Sequence, residues 1–437
     1  MRHVRVTKDR DRAVVEAVVR DFGPLSRADI RHLTHLRWST ISPLVRELIN
    51  QGKLLEVGRS NNLRGRKQIL LRLNEEYGYI VGIMFDPETV SVAVMDLSPR
   101  IRSIVTEVSC LDRGVEGLVH QLFDCVEKAI HQGGVGREKL LGVSIADPGL
   151  VNVQEGISIL CVNINFWKDV PLKRLFEQRF EVPCTLESAT RLQALAERLI
   201  GAGEGAEDMI YVEYGKGIGA GVIIGGKVLL GHDWAAGEFG HILIIENGPP
   251  CNCGSFGCLE AIVGLSAIEA RCHKAIQGGG SSKALEIANG EVGQITGWSV
   301  LQAASLGDKM CAAIVEDLGK YLGLGISTLV NLFNPSLIVL DHRLALAGES
   351  LLEQIGRAVK RQALGRSTAN LGLCYGKLGN EVGVLGSGLN FLEKMFEIPV
   401  LKPPRFMVEK FTIDELSNKR RSPTGPPMET PWRRASG

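Results

Sequence analysis

The chain has 437 residues, 45% of them hydrophobic and 23% charged, with a formal net charge of +1. That length excludes one ordinary domain and suits two or three, and the composition is that of a globular protein. No apolar run reaches the roughly 20 residues of a membrane span, and MRHVRVTKDRDR lacks the apolar stretch of a secretory signal, so the expected location is the cytoplasm.

Charge is unevenly distributed. Residues 1–73 hold 16 Lys/Arg and 7 Asp/Glu, a net +9, while the remainder holds 34 and 42, a net −8. A basic head on an acidic body points to a polyanion partner for the head; a solvated face would look the same by charge alone.

In chain order, residues 10–21 place Ala13, Val14, Ala17 and Val18 at helical spacing, and Gly23-Pro24 ends that helix. Ser26 caps a short second helix with Asp29 three residues on, close to a capping box. After the turn THLRW, Ser39 caps a third helix to Ile49, with Pro43 in its first turn and Gly52 ending it. Two β-like runs around a basic loop follow, so the head reads as a winged helix-turn-helix over residues 1–75. Leu33, Ile41, Val45 and Leu48 are its expected core.

From Tyr77 strands and helices alternate: YIVGIMF and VSVAVMDL joined by DPET, a helix near 114–132, KLLGVSIADPG, a helix over 171–180, VPCTLES and the helix RLQALAERLIGAG. Then come MIYVEYGKGIGAGVIIGGKVLL, a long helical stretch near 308–332 and the late strand LIVLD. This is an α/β body over 76–400 with no short-period repeat. The Pro-, Ser- and Arg-rich segment 401–437 reads as a disordered tail.

The second helix of a helix-turn-helix enters the major groove and its first residues meet base edges. Here these are Arg37, Ser39, Thr40 and Ser42, with Arg46 a turn further. The wing offers Arg59, Arg64, Arg66 and Lys67 to the backbone or a narrow minor groove. A winged helix used for protein contacts is the alternative, and charge concentrated on the reading helix and wing argues against it.

The segment GEFGHILIIENGPPCNCGSFGCLE supplies His241, Cys251, Cys253 and Cys258. One imidazole and three thiolates form a closed tetrahedral set that favours structural Zn²⁺, with Gly254 and Gly257 allowing sharp turns. Cys110, Cys125, Cys161, Cys184, Cys272, Cys311 and Cys374 are expected to be small buried apolar residues.

Together PLSRADIRHLTHL, DPGLV, GKGIGAGVIIGGKVLLG, AGEFGH and CNCGSFGCLE resemble the ROK family of repressors and sugar kinases, over about residues 10–400. Nearest in pattern are its xylose- and N-acetylglucosamine-type repressors. The resemblance implies a two-lobed actin-like ATPase fold, structural zinc, and dimers or tetramers.

It also implies what a kinase member carries. A D-x-G-G-T turn after the first strand grips phosphate; this chain has GIMFDPET, with Met84 for the Asp, Asp86 for a Gly, and Pro87 deleting a donor. The general base is the Asp of E-N-D-A-N; this chain has ESATR, with Ala189 at that position. A late Gly-Gly turn is replaced by Asp341-His342. Glu238, His241 and Glu260 match sugar contacts of the family, while Ser188 and Ala189 replace an Asn and an Asp. Glu260 is equally read as a helix N-terminal carboxylate. Arg191 reads either as a group meeting a phosphate or carboxylate of a changed ligand or as a surface helix residue. The glycines from Gly215 to Gly221 are read as kept for the turn and for lobe packing.

The expectation is therefore a transcriptional regulator, foremost a repressor of carbohydrate-related genes, on operator DNA. Its body is catalytically silent and senses a sugar or sugar derivative. An ATP-dependent sugar kinase and a regulator sensing a protein partner are the other readings.

Overall fold

The computed structural model describes residues 2–59 and 67–397, with side chains from Lys8 onward. The head runs α1 (Arg2–Phe22), β1 (Leu25–Ser26), α2 (Arg27–Thr34), α3 (Trp38–Asn50), β2 (Leu54–Arg59) and β3 (Ile69–Leu73). Its strands form an antiparallel sheet in the order β1-β3-β2. The α2 capping box is present: Asp29 N–H donates to Ser26 Oγ at 3.2 Å, and Ser26 N–H to Asp29 Oδ2 at 2.9 Å. The loop bearing Arg64 and Arg66 and the expected tail lie outside the described residues.

Four local expectations are corrected. The start of α3 is set by Arg37, whose extended backbone accepts from Thr40 and Ile41 N–H at 2.9 and 3.0 Å. Ser39 is therefore inside the helix, not its cap. Pro43 then falls in the second turn, on an exposed face where water can serve the carbonyl it leaves without a donor. Leu33 is 44% exposed, because the short α2 turns only Ile30 fully inward. On α1 the most buried valines are Val15 and Val19, one position round from Val14 and Val18. Two adjacent valine pairs fit either face, and this face lets Arg12 and Glu16 pair with Glu47 and Lys53.

The first lobe comprises β4 (Tyr79–Phe85), β5 (Thr89–Met95), β6 (Ile101–Val108), α4 (Gly114–Gln132) and β7 (Leu140–Asp147). A small sheet of β8 (Leu150–Asn152), β9 (Ile157–Leu160) and β10 (Lys168–Val170) follows, then α5 (Leu172–Phe180), β11 (Cys184–Ser188) and α6 (Ala189–Ile200). The second lobe contains β12 (Met209–Tyr214), β13 (Ile218–Ile224) and β14 (Lys227–Val228). Its helices are α7 (Leu259–Val263), α8 (Leu265–Gln277), α9 (Lys283–Ile287), α10 (Gly297–Ser305) and α11 (Lys309–Phe333). It is completed by β15 (Leu337–Leu340), α12 (Glu349–Gln362), α13 (Gly365–Thr368) and β16 (Gly372–Tyr375). Last, α14 (Val382–Met395) returns to the first lobe.

The sheets β6-β5-β4-β7-β11 and β14-β13-β12-β15-β16 have one topology: three antiparallel strands, then two parallel strands beside the first. The chain thus repeats one architecture over a span too long for a short-period search, and it is the two-lobed actin-like ATPase arrangement.

α6 lies against β12 and β13 and against α14, joining the lobes. A Cβ on Gly219 would stand 2.7 Å from Thr190 Oγ1, and one on Gly221 would overlap Ala194, so these glycines set the approach of α6. Five buried body residues, Ile80, Leu97, Phe391, Leu392 and Phe396, share one apolar cluster with Val15, Val19, Ile30, Ile41 and Leu54 of the head. Arg20 adds a 3.2 Å ion pair to Glu393 and stacks on the Phe396 ring at 4.9 Å. Cys110 and Cys374 are half-buried, because they sit beside a loop and on an edge strand; Cys125, Cys161, Cys184, Cys272 and Cys311 are buried as expected. No helix among the described residues is long and apolar enough to cross a membrane.

Two stability predictions follow from this packing. Phe396→Ala removes part of a core common to head and body and costs about 3–5 kcal/mol, read by denaturant unfolding. The loss comes with one transition for the whole chain, and separate head and body transitions would contradict it. Asp147, at the end of β7, is fully buried, and burial pushes its carboxyl up to about 6 from an ordinary value of about 3.9. The folded state therefore favours the neutral acid. Below both values the group costs nothing; as pH rises through this window it becomes destabilising by up to about 3 kcal/mol. Asp147→Asn should raise the melting temperature at pH 8 and leave it nearly unchanged at pH 4.

Candidate functional site

The head presents the N-terminal face of α3 to solvent. Arg37, Ser39 and Arg46 are exposed, Thr40 and Ser42 partly so, while Ile41, Leu44, Val45 and Leu48 hold the opposite face in the core. The helical period divides α3 into a buried stripe and a hydrophilic one carrying Ser39, Thr40, Ser42 and Arg46. Arg37 makes no side-chain cap, so its guanidinium is not spent on the helix start. Lys67 is exposed at the far side of the wing.

In the body, the segment after β14 makes a single-turn 3-10 helix, Phe239–His241, and then a loop whose Gly254 and Gly257 have φ of 91° and 68°. The ligand atoms of His241, Cys251, Cys253 and Cys258 lie within 4.8 Å of one another, a group that can hold a metal ion. Cys253 Sγ and Cys258 Sγ are 3.8 Å apart, and Cys251 Sγ is 3.7 Å from His241 Nδ1. A tetrahedral ion with metal–sulfur bonds near 2.3 Å requires separations of about 3.6–3.8 Å. His241 Nδ1 thus faces the thiols, while Nε2 faces Glu238 Oε2 at 3.8 Å.

That second face opens on a cavity of ≈ 670 Å³ between the lobes, lined among others by Ser188, Arg191, Glu213, Glu238, His241 and Glu260. Its volume lies within the range of small-molecule sites. Glu260, in the first turn of α7, accepts from Ile218 N–H at 3.0 Å through Oε2. Burial raises the carboxyls of Glu213, Glu238 and Glu260 above their ordinary values.

Arg191 is not the surface helix residue that one of its two readings made it. Its side chain is nearly fully buried; Nε donates to Glu187 Oε1 at 2.8 Å, and Nη1 donates to the Trp234 carbonyl at 2.7 Å. It lines the cavity with its charge already matched by Glu187, which precedes it by four residues at the end of β11.

The other end of the cleft is closed by the protein itself. Asp86 Oδ1 accepts from Glu88 and Thr89 N–H at 2.6 and 2.8 Å, satisfying its own turn. Lys216 reaches across the lobes to Glu88 at 3.6 Å. Buried Asp341 binds Arg343 through two guanidinium contacts of 3.0 and 2.7 Å, and Arg343 stacks on Trp298 at 4.6 Å. The space left among Asp86, Pro87, Glu88, Lys216 and Arg343 is ≈ 70 Å³. Met84 and Ala189 meet in one apolar cluster with Ala146 and Leu192.

Sequence reasoning missed Glu213. Thr190 Oγ1 donates to it, and Gln193 Nε2 donates at 2.7 Å, holding its carboxylate between the two ends of the cleft. Its one signal was an acidic residue inside the buried run MIYVEY. Asn163, Trp167 and Lys168 also line the large cavity, brought there by β9, β10 and the turn between them.

Among known proteins, the chain is 29% identical over 394 residues to a xylose repressor of Caldicellulosiruptor bescii, covering 90% of this chain and 98% of that one. It is 28% identical over 382 residues to the DNA-binding transcriptional dual regulator NagC of Escherichia coli, covering 87% and 92%. The crystal structure of a ROK family transcriptional regulator, a homologue of the E. coli MLC protein, superposes with a TM-score of 0.76. It is 25% identical and covers 90% of this chain and 97% of its own. A ROK family glucokinase from Streptomyces griseus, solved with glucose and AMPPNP, matches 72% of this chain and 99% of its own. It gives a TM-score of 0.65 at 28% identity. A profile of the ROK family matches residues 82–393, and with the two-lobed fold around it, the chain belongs to the ROK family.

Proposed function

We propose that this chain is a sequence-specific DNA-binding repressor of carbohydrate-related genes whose body binds a small polyhydroxylated effector and does not phosphorylate it. The observation that carries the reading is the pairing of an exposed reading face on α3 with a cleft whose phosphate end is filled by the protein's own side chains. The regulatory relatives, which align over head and body alike, support it.

Residues 1–75 act as the reader: Arg37, Ser39, Thr40, Ser42 and Arg46 address the major groove, and Arg64, Arg66 and Lys67 the flanking backbone or minor groove. Residues 76–400 act as the sensor. His241, Cys251, Cys253 and Cys258 would hold Zn²⁺, which would fix the loop, and His241 turns Nδ1 to the thiols and Nε2 to Glu238 and the cavity. Glu238, His241 and Glu260 then offer acceptors and a donor to sugar hydroxyls. Effector binding changes the lobe angle, and α14, packed on β4 and in the head core, carries that change to α1. Two such heads in a symmetric oligomer would read a palindromic operator at a spacing the bodies set.

The kinase positions support a silent body. A base at residue 189 would sit where Ala189 now packs against Met84, and losing a base alone costs roughly 10²–10⁴ in rate.

Selecting bound sequences from random DNA yields the operator, and affinity for it should fall steeply with salt, a log–log slope of about −0.9 per phosphate neutralised. Arg46→Ala should weaken specific binding by about 1–3 kcal/mol, selectively for one base position. Arg64→Ala with Arg66→Ala should weaken it and flatten the salt slope; unchanged binding in both variants sinks the reading face.

Metal analysis should find one zinc per chain, and its removal by a strong chelator should lower the melting temperature markedly, since such sites contribute roughly 10–16 kcal/mol of binding energy. Incubation with ATP and a hexose panel should give no sugar-dependent ADP release; appreciable release would make the chain a kinase.

A further inference from the structure

The electrostatics of the large cavity carry a statement about its ligand, resting on the reading of that cavity as the effector site. Three carboxylates line it: Glu213 from the end of β12, Glu238 before the metal loop and Glu260 from α7. Most of the cations that would balance them are committed elsewhere. Arg191, 3% exposed, is paired with Glu187 and bound to the Trp234 carbonyl. His241 belongs to the metal-ligand set. Lys168, exposed at the start of β10, also lines the cavity, and its single charge leaves the three carboxylates in excess. Arg343 serves Asp341 at the closed end of the cleft.

Glu213 is the least ordinary of the three. It occupies a strand end at the junction of the two cavities, half-accessible, and its carboxylate is oriented by Thr190 and Gln193, the latter held in turn by Tyr211 Oη at 2.9 Å. An orienting network of three side chains around one carboxylate presents an acceptor of fixed geometry to whatever enters, and a cationic donor there would favour its ionised form. Glu260 spends only Oε2 on the backbone, and Glu238 is about half exposed with His241 as its neighbour. Hydroxyl donors satisfy such acceptors, a cationic donor satisfies them more strongly through charge-assisted hydrogen bonds, and an anionic ligand meets repulsion from all three.

We propose that this cavity selects a polyol carrying a protonated amine, an amino sugar or an aminopolyol, over the corresponding neutral sugar, and rejects phosphorylated and acidic sugars. Glu213 is the residue that determines this preference.

The test is isothermal titration calorimetry on the full zinc-loaded chain near pH 6.5, where sugar amines are protonated. The probes are glucosamine, mannosamine and galactosamine, each beside its parent hexose and that hexose's 6-phosphate. At least one amine should bind about tenfold tighter than its parent, and every 6-phosphate should bind more weakly than its parent. Equal or tighter binding of the parents in all three pairs, tighter binding of a phosphate, or no binding by any of the amines overturns the proposal. In Glu213→Gln the amine preference should shrink to about threefold or less while the parent hexose still binds; a preference that persists removes Glu213 from the role. If Glu213→Gln melts early, Glu238→Gln, at a half-exposed position, should reduce the same preference, and an unchanged preference there overturns the charge argument. Operator binding is measured separately. DNA selectivity without amine preference refutes the ligand class alone, whereas amine preference without DNA selectivity refutes the regulatory reading and leaves the ligand class standing.

Discussion

α14 belongs to several cores at once, and the arrangement of the molecule depends on that packing. Its first turns put Val382, Val384 and Leu385 into a cluster with Ala93, Met95 and Ala196 under the first-lobe sheet. In its middle, Ser387 Oγ donates to the Ile83 carbonyl at 2.9 Å, tying helix to strand. Its last turn delivers Phe391 and Leu392 to the head, with Phe396 just beyond. α14 also lies along α6, which backs the second-lobe sheet. This one helix is in contact with the sheet of the first lobe, with the helix that backs the sheet of the second and with the head, so the positions of all three are linked through close packing.

The two ends of the cleft are filled differently. At the narrow end, side chains distant in sequence support one another in space. Met84 and Ala189 fill one apolar volume, so a carboxylate at either position would now be desolvated against the other's carbon atoms. Asp341 and Arg343 satisfy each other, and Lys216 with Glu88 spans the gap. At the ligand end the acidic groups remain, and Glu213 joins them. Gly219 and Gly221 of GKGIGAG have a sufficient reason to persist in the close approach of α6 to β13.

How much of this was legible in the sequence depended on distance along the chain. The metal set was readable because its three cysteines are adjacent and its histidine nearby, and the capping box at Ser26 because it spans four residues. The solvent-facing stripe of α3 was readable from its period, although the helix starts two residues earlier than expected: a serine is a better cap by composition, but the backbone at Arg37 was already extended. What failed were choices decided by remote partners. The inward face of α1 was settled by Glu47 and Lys53, both far along the chain. Arg191 looked available because its counter-ion Glu187 sits in a strand and its second partner, the Trp234 carbonyl, lies beyond the whole β12–β14 hairpin. Glu213 was hidden by residing in an apolar strand, and the duplicated sheet topology by its length.

The shared core of head and body has a consequence for how such regulators diversify. Two units that folded independently could be recombined freely, each head grafted to any sensor at the linker near residue 75. Here the head's apolar face is completed by the start of β4 and the end of α14, more than 300 positions apart in the chain. A new pairing of operator and effector specificity therefore has to preserve a three-part joint. Variation is free on the solvent side of α3 and on the walls of the cavity, and constrained at the seam between them. The heritable unit of this architecture is the head together with the two body segments that complete its apolar core.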